Sequence, residues 1–289
     1  MTRVLLVEDD ASIRRFVRMA LEDLPLELVE SASLTEARLA LHTARFDLLI
    51  TDLMLPDGNG VELLAEVDAD PVLRATLRRV VFSANVSAAV RARIRALGVS
   101  KILGKPVSTA TLIACVGEAL NASAPRNGVD GVSRSTDQPG VDFDSARTLR
   151  PPLRDEAFAL HAHFNGSASL FGAFKASSHA QFAADIQDGD AALAAADQAS
   201  LRRLAHSLKT VLLLLGDAAA AERAAALEAA AARPAPPAEL APMWAELRGA
   251  LVRIRHPLPP GEGEGEGAIV AVIEPRSLSE RSARQKPIV

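Results

Sequence analysis

The sequence contains a single cysteine, Cys115, so no disulfide bond can form within the chain. Cysteine usage this low is typical of proteins in a reducing compartment. Long hydrophobic runs are missing as well, since runs such as residues 211–215 fall far short of the roughly 20 apolar residues that span a bilayer. The chain also turns acidic at Glu8, too early for the apolar core of a secretory signal. We therefore expect a cytoplasmic protein that does not cross a membrane.

Neither sign of charge dominates. The chain has 36 acidic and 32 basic side chains, and residues 146–256 hold 11 acidic against 12 basic ones. Nucleic-acid-binding domains carry a basic excess, so this balance argues against nucleic acid as a partner. A nucleotide loop is also missing, because the repeat GEGEGEG lacks the Lys-Ser/Thr pair and the flanking strand of a P-loop. We therefore expect a protein that does not use ATP and is not itself a kinase.

Composition divides the 289 residues into two predicted domains, a linker and a tail. Residues 1–121 alternate short apolar runs with amphipathic stretches, which predicts an α/β domain with a buried parallel sheet. Residues 122–145 are dense in Asn, Gly, Ser, Asp and Pro, as in a flexible linker. Residues 146–256 are rich in alanine and contain no strand candidate, which predicts an all-α domain. The Gly/Glu repeat in residues 257–289 cannot bury a core, so we expect a disordered tail.

In the first predicted domain, four apolar runs lead into residues with polar side chains. The runs cover residues 4–7, 46–50, 80–82 and 102–103, and we predict five strands and five helices in all. In open α/β sheets, ligands bind beyond the carboxyl ends of the strands. A parallel sheet would therefore gather the polar residues at these ends, which are Asp9, Asp10, Asp52, Ser83 and Lys105.

Three carboxylates in one cleft repel each other and require a cation. Oxygen ligands with room for water suit Mg²⁺, so the predicted metal ligands are Asp9, Asp10 and Asp52. The ion would also bridge to a phosphoryl group, for which Lys105 supplies a second positive charge. The Ser83 hydroxyl can donate a hydrogen bond to that group, and Asp52 is then the nucleophile. The plainer alternative is that Asp9 and Asp10 only cap the helix that begins near residue 11.

Residues 1–121 resemble the receiver domain of two-component response regulators. The resemblance lies in the motifs VLLVEDD, DLLITDLMLPDGNGVELL, VVFSAN and KILGKP. It implies a flavodoxin-like fold, a doubly wound parallel sheet with strand order 2-1-3-4-5. It also implies that Asp52 accepts the phosphoryl group while Asp9 and Asp10 position Mg²⁺.

The same resemblance assigns a switch to the end of the domain. It implies that Ser83 and Lys105 sense the phosphorylated state and that the peptide bond between Lys105 and Pro106 is cis. Receivers usually place Tyr or Phe three residues before this lysine, whereas this chain has Ile102 and no tyrosine at all. An aromatic switch is therefore not expected.

The second predicted domain carries a histidine on a helix. In the stretch LRRLAHSLKTVLLLLGD, apolar residues recur on one stripe at Leu201, Leu204, Ala205, Leu208, Val211, Leu212 and Leu215. His206 falls roughly opposite that stripe, which predicts that it faces solvent or a partner. Lys209, three residues on, is its neighbour on the helix surface. Exposed histidines on helices are common and mostly inert, so periodicity alone leaves the role of His206 open.

Residues 155–253 look like a histidine phosphotransfer domain. The resemblance lies in the segments ALAAADQASLRRLAHSLK and AHSLKTVLLLLGD and in the Ala-rich helix with ALEAA that follows. It implies an antiparallel helical bundle in which His206 is phosphorylated, Lys209 pairs with the phosphoryl oxygens and Gly216 marks a turn. An imidazole nitrogen is a competent nucleophile toward an acyl phosphate.

One departure from the phosphotransfer pattern lies close to the histidine. The family usually has Gly four residues after it, where this chain has Thr210, which would narrow the choice of partner or slow transfer. Leu213 lies on the same side of the helix. It is either an apolar docking contact or, with Leu214, part of the packing against another bundle helix.

The two resemblances together predict a phosphorelay protein. Phosphoryl groups would pass among a sensor histidine kinase, Asp52, His206 and a further receiver or phosphotransfer protein. A second hypothesis, favoured by Thr210, is a phosphorylation-controlled binding module whose helical domain docks partners without phosphorylation of His206. A third, a transcription factor, is opposed by the balanced charge of residues 146–256. The direction of transfer, and whether it takes place within one chain, remain open at the level of sequence.

Overall fold

The computed structural model describes residues 1–84, 86–121 and 155–256. The predicted linker, residues 122–145, and the predicted tail, residues 257–289, lie outside the described residues. None of the helices within the described ranges has the length and apolar character needed to span a bilayer.

The first segment is built on a five-stranded parallel sheet with the strand order β2-β1-β3-β6-β7. Its strands are β1 (Thr2–Val7), β2 (Leu26–Ser31), β3 (Leu48–Thr51), β6 (Arg78–Ser83) and β7 (Lys101–Gly104). A separate antiparallel hairpin, β4 (Met54–Leu55) and β5 (Gly58–Asn59), follows β3. With the hairpin set aside, the order is 2-1-3-4-5, so the predicted doubly wound sheet is confirmed.

Helices flank both faces of this sheet. Within the described part of residues 1–121 they are α1 (Ala11–Leu21), α2 (Leu34–Thr43), α3 (Gly60–Ala69), α4 (Pro71–Thr76), α5 (Ala88–Ala96) and α6 (Thr109–Asn121). The short helix α4 was not predicted. Its signal is the pair Asp70-Pro71, because the Asp70 side chain caps the backbone N–H groups of Val72 and Leu73 while Pro71 occupies the first turn.

Apolar side chains form one core on each face of the sheet. On β1, Val4 and Leu6 belong to one core while Leu5 and Val7 belong to the other, because successive side chains of a strand point to opposite faces. The first core lies beneath α1 and α6, and the second lies beneath α2, α3 and α5. Strands buried on both faces need continuous apolar runs, which is why such runs located these strands.

Residues 155–256, called the helical segment below, contain helices and, among the residues described there, no strand. The helices are α7 (Glu156–Phe164), α8 (Ala168–Ala194), α9 (Gln198–Leu214), α10 (Ala218–Ala231) and α11 (Pro237–Arg255). The first four begin at side chains that accept a backbone N–H of the first turn, namely Asp155, Ser167, Asp197 and Asp217. Helices α8 to α11 pack in a ring, in which each contacts the next and α11 contacts α8.

The turn between α9 and α10 depends on Gly216. This residue has a φ of +78°, and a Cβ atom there would lie 2.4 Å from the carbonyl oxygen of Asp155. Glycine adopts positive φ without steric cost and leaves room for the backbone to approach. Gly216 therefore lets the start of α7 lie against the end of α9.

The helical segment packs against α1 and α6 of the first segment, within one compact unit. Helix α1 contacts α8 and α9, and α6 contacts α7. Phe16 of α1 meets the ring of Phe164 at 5.6 Å and that of Phe174 at 5.8 Å, both edge-on. The core beneath α1 and α6 therefore continues into the helical segment.

Candidate functional site

The register of the sheet brings the ends of four strands to one edge. Strands β1, β3 and β6 are paired in parallel up to their last residues, and β7 pairs with β6. Glu8 and Asp9 follow β1, Asp52 follows β3, Ser83 ends β6 and Lys105 follows β7. Four of the five residues that the strand ends predicted therefore lie at one site, together with Glu8.

Asp52 is 1% exposed, and its carboxylate is fully engaged in hydrogen bonds. Oδ1 accepts from the backbone N–H of Leu53 at 2.5 Å, Oδ2 accepts from Lys105 Nζ at 2.6 Å, and Ser83 also hydrogen-bonds the carboxylate. Burial raises the pKa of Asp52. The charge and hydrogen bond of Lys105, followed by the charge of His206 and the Ser83 bond, outweigh burial and lower this pKa overall. Asp52 is therefore ionised at neutral pH.

Lys105 lies between two buried carboxylates. Its Nζ donates to Glu8 as well as to Asp52, and its side chain is 1% exposed. Burial lowers the pKa of Lys105, but the charges of Asp52 and Glu8 outweigh burial and raise it, so the ammonium stays protonated. The peptide bond between Lys105 and Pro106 is cis, as predicted.

The carboxylate set expected from the sequence is corrected at one position. Asp10 caps α1, since its Oδ1 accepts from the N–H of Ile13 at 2.8 Å, the plainer role that sequence analysis held open. The carboxylates that converge are instead Glu8, Asp9 and Asp52, whose oxygens lie within 4.8 Å of one another. Glu8 takes the expected place of Asp10 because it is the first residue beyond β1, as Asp52 is beyond β3.

This cluster carries more negative than positive charge. Burial and the charge of Asp52 raise the pKa of both Glu8 and Asp9, and the charge of Lys105 opposes the increase. The net result for Asp9 is a pKa of about 6. One lysine does not neutralise three carboxylates. Carboxylate oxygens are hard ligands, and the cluster has an excess of negative charge. These are the two properties of a site that binds a divalent cation such as Mg²⁺.

His206 lies in α9 and is 4% exposed, so of the two predicted surroundings, solvent or a partner, the solvent alternative is wrong. Helix α9 contacts α8 and α10 and also α1 of the first segment. Besides the predicted apolar stripe, these neighbours bury Ser207 and Thr210. Leu213 and Leu214 pack with the core, as the bundle-packing alternative required. The apolar stripe of α9 predicts only one buried face. It does not indicate that the opposite face, which carries His206, also packs against another part of the chain.

The two ring nitrogens of His206 have different surroundings. Nδ1 lies 2.6 Å from Glu228 Oε1, and Lys209 Nζ donates to the other Glu228 oxygen. Nε2 is buried and has no hydrogen-bond partner among the described residues. Burial raises the pKa of Glu228, but the hydrogen bonds and charges of His206 and Lys209 lower it to about 2. An ionised carboxylate only accepts hydrogen bonds, so Nδ1 of His206 carries a proton that it donates to Glu228.

Two members of these arrangements, Glu8 and Glu228, were not predicted. Glu8 had a signal, because it follows the apolar run of residues 4–7 directly. Glu228 lies 22 residues after His206 in the alanine-rich helix α10 and had no signal. Only the packing of α10 on α9 brings its carboxylate to the histidine.

Comparisons with known proteins bear on the first segment. Residues 4–117 match the family model of the response regulator receiver domain. The KDP operon transcriptional regulatory protein KdpE of Escherichia coli (strain K12) is 42% identical over 81 residues, which are 27% of this chain and 36% of KdpE. The chemotaxis protein CheY of Pseudomonas aeruginosa is 36% identical over 73 residues, which are 25% of this chain and 59% of CheY.

Solved structures include similar chains. The chemotaxis response regulator CheY4 of Vibrio cholerae is 29% identical, and its match covers 42% of this chain and 99% of CheY4 with a TM-score of 0.39. The matches to the two curated relatives span only 36% and 59% of those proteins. The activities and partners of the whole relatives therefore do not carry over directly.

Proposed function

Because residues 4–117 are the receiver domain of a two-component response regulator, we propose that this protein is a carrier in a phosphorelay. The receiver takes a phosphoryl group on Asp52 from a sensor histidine kinase or a phosphotransfer protein. The helical segment is a histidine phosphotransfer bundle that carries the group on His206. The observation that carries this proposal is a pair of buried nucleophiles, each held by an opposite charge, Asp52 by Lys105 and His206 by Glu228.

Phosphorylation of the receiver is a displacement at phosphorus. A carboxylate oxygen of Asp52 forms the new P–O bond while the bond between phosphorus and the donor breaks, which leaves an acyl phosphate. Lys105 and Ser83, which hold the carboxylate beforehand, stabilise the charge that spreads over the phosphoryl oxygens. Positioning and charge stabilisation account for most of the catalysis in reactions of this class.

The cation of this receiver would be held by Glu8, Asp9 and Asp52. Their oxygens are close enough to share one ion, and the cluster has an excess of negative charge. When bound, Mg²⁺ neutralises charge on the transferring phosphoryl group. Asp10 supports this set indirectly, since its cap fixes the start of α1 directly after the cluster.

In this proposal Nε2 of His206 is the nucleophile. Glu228 binds Nδ1 and thereby orients the ring, and Nε2, which has no hydrogen-bond partner among the described residues, is the nitrogen left to attack phosphorus. Lys209 is bound to Glu228 and lies beside the same histidine, where its charge would stabilise the phosphoryl oxygens. His206 is thus the nucleophile, Glu228 orients its ring, and Lys209 supplies the positive charge.

Labelling of the full chain with ³²P-acetyl phosphate and Mg²⁺ tests both carriers. Alkali hydrolyses an acyl phosphate but leaves a phosphohistidine intact. We expect Asp52→Ala to lose all label and His206→Gln to lose only the alkali-stable label. Undiminished labelling of Asp52→Ala would show that the receiver assignment of Asp52 is wrong.

A second candidate function is a phosphorylation-controlled binding module. It is favoured by Thr210, which is 1% exposed at the fourth position after His206 and reduces the space around the histidine. In that case Asp52 is labelled but no alkali-stable label appears in the wild-type chain. The same experiment therefore distinguishes the two functions.

A further inference from the structure

The helical segment covers the face of the receiver that carries α1. Phe16 is 2% exposed, and its ring partners Phe164 and Phe174 are 1% and 0% exposed. Edge-on pairs of this kind add about 0.5–1.5 kcal/mol each beyond the effect of burying their area. The contact between the two segments is therefore part of one continuous hydrophobic core and not a polar interface.

The contact also extends to the acidic end of β1. A groove there is lined by Asp9 and Asp10 of the receiver and by Asp185 and Ser207 of the helical segment. Asp185 is 7% exposed, and burial together with the charge of Asp10 raises its pKa to about 7. Helices α8 and α9 therefore approach the carboxylate cluster itself and not only the aromatic side of α1.

In this arrangement both phosphoryl carriers are enclosed. Asp52 is 1% and His206 is 4% exposed, so another protein cannot contact either side chain. Ser207, the residue after His206, lines the same groove as Asp9, and an oxygen of Asp9 lies within 4.8 Å of one of Asp52, so the packing brings α9 to the carboxylate cluster that contains Asp52. Nε2 of His206 has no hydrogen-bond partner among the described residues.

We propose that the docked arrangement is itself a transfer complex, in which a phosphoryl group passes between Asp52 and His206 of one chain. The segments must then separate before a third protein reaches either carrier. This inference rests on the proposed function, because it requires His206 to carry a phosphoryl group.

The transfer step balances without a further reactant. The Nε2 lone pair of His206 forms the P–N bond while the P–O bond to Asp52 breaks, and the bonding electrons return to the carboxylate. Lys105 donates to the released carboxylate, as it does before phosphorylation. The positive charge left on the ring is balanced by Glu228, which accepts the hydrogen bond of Nδ1. The reverse transfer uses the same atoms.

Transfer within one chain has a kinetic signature. A tethered partner acts at an effective concentration on the order of millimolar, so at 1 µM protein the reaction within a chain should be about 10³-fold faster than between chains. It should also be first order, so that its half-time does not change when the protein is diluted.

The experiment follows alkali-stable label from ³²P-acetyl phosphate in full-length chains. Wild type is compared, over a fifty-fold range of concentration, with an equimolar mixture of Asp52→Ala and His206→Gln chains. We expect a constant half-time for wild type and transfer in the mixture that is about 10³-fold slower at 1 µM. Equal rates, or a wild-type rate that scales with concentration, would overturn transfer within one chain. Absence of alkali-stable label in every sample would instead overturn the proposed function, and this inference with it.

A matched pair of variants tests the docked surface itself. Ser177 of α8 lines a groove together with three arginines of α1, namely Arg14, Arg15 and Arg18. Ser177→Arg places a further positive charge beside these arginines. In a chain that carries only this substitution, we expect the rate of phosphoryl transfer from Asp52 to His206 to fall at least tenfold. Gly172→Arg adds the same charge on the same helix at a site with open space around a Cβ atom, and it should change the rate less than twofold. Equal rates for Ser177→Arg, Gly172→Arg and wild type would show that this surface plays no part in transfer.

Discussion

Replacement of Asp185 by asparagine tests whether the groove between the two segments is closed in solution. Asp185 has an ordinary pKa of 3.8, and in the folded chain burial and the charges of Asp10 and Asp188 raise it to about 7. The folded state therefore holds this proton more tightly than the unfolded state does. A group of this kind lowers the free energy of unfolding as pH rises between the two pKa values.

The magnitude follows from the two pKa values. At about 1.36 kcal/mol per pKa unit, the raised pKa costs the folded state about 2 kcal/mol at pH 5, where Asp185 takes up a proton on folding, and about 4 kcal/mol at pH 8, where it is ionised in both states. Asparagine has no charge to bury and keeps an oxygen that can accept from Gln181, as Asp185 does now. Asp185→Asn should therefore stabilise the protein, by roughly 2 kcal/mol more at pH 8 than at pH 5.

Urea unfolding of the full chain at both pH values measures this difference. Asp23→Asn is the matched control, because Asp23 is an exposed aspartate just beyond the end of α1. Its substitution should change the free energy of unfolding by no more than about 0.5 kcal/mol at either pH. If Asp185→Asn changes stability equally at pH 5 and pH 8, Asp185 is not buried between the segments and the reasoning fails.

Two further predictions concern the helical segment. The pKa of Glu228 is lowered from 4.5 to about 2, so its interaction with His206 and Lys209 is fully present above pH 4.5 and is lost as pH falls toward 2. The free energy of unfolding of the wild type should therefore fall by about 3 kcal/mol between pH 4.5 and pH 2, and that of Glu228→Gln should not show this fall. Acid unfolding of the two chains measures the difference, and the same pH dependence in both would contradict the prediction. Gly189→Ala should destabilise by about 1–3 kcal/mol, since its Cβ would lie 2.1 Å from the Trp244 ring. Gly172→Ala, with open space, should instead stabilise α8 by up to about 1 kcal/mol, and melting temperatures that shift the same way in both variants would refute this difference.

The receiver fold and most of its site could be predicted because their signals are local. A parallel strand buried on both faces requires an apolar run, and the residue that follows it lies at the binding edge whatever the rest of the sheet contains. Asp52, Ser83 and Lys105 were found in this way. Asp10 was misassigned because a run of three acidic residues does not show which of them caps the following helix. The hydrogen bond from Ile13 decides it.

The environment of His206 had no such local signal. An apolar stripe predicts one buried face, and α9 has that face where it was expected. Its opposite face is covered as well, because α10 supplies Glu228 and α1 of the receiver closes over the segment. These neighbours are distant in sequence, so no spacing rule could assign them.

The sequence by itself determined the two kinds of segment and placed Asp52 at the end of a strand and His206 on a helix, because each depends on short-range patterns of apolar and polar residues. The order of the strands came only from the resemblance to receiver domains. Only the tertiary structure decided what those two residues meet. The burial of each side chain and its pairing with a counter-charge depend on strands and helices packed across long separations in the chain. Their energies come from contacts and desolvation that no single stretch of sequence contains.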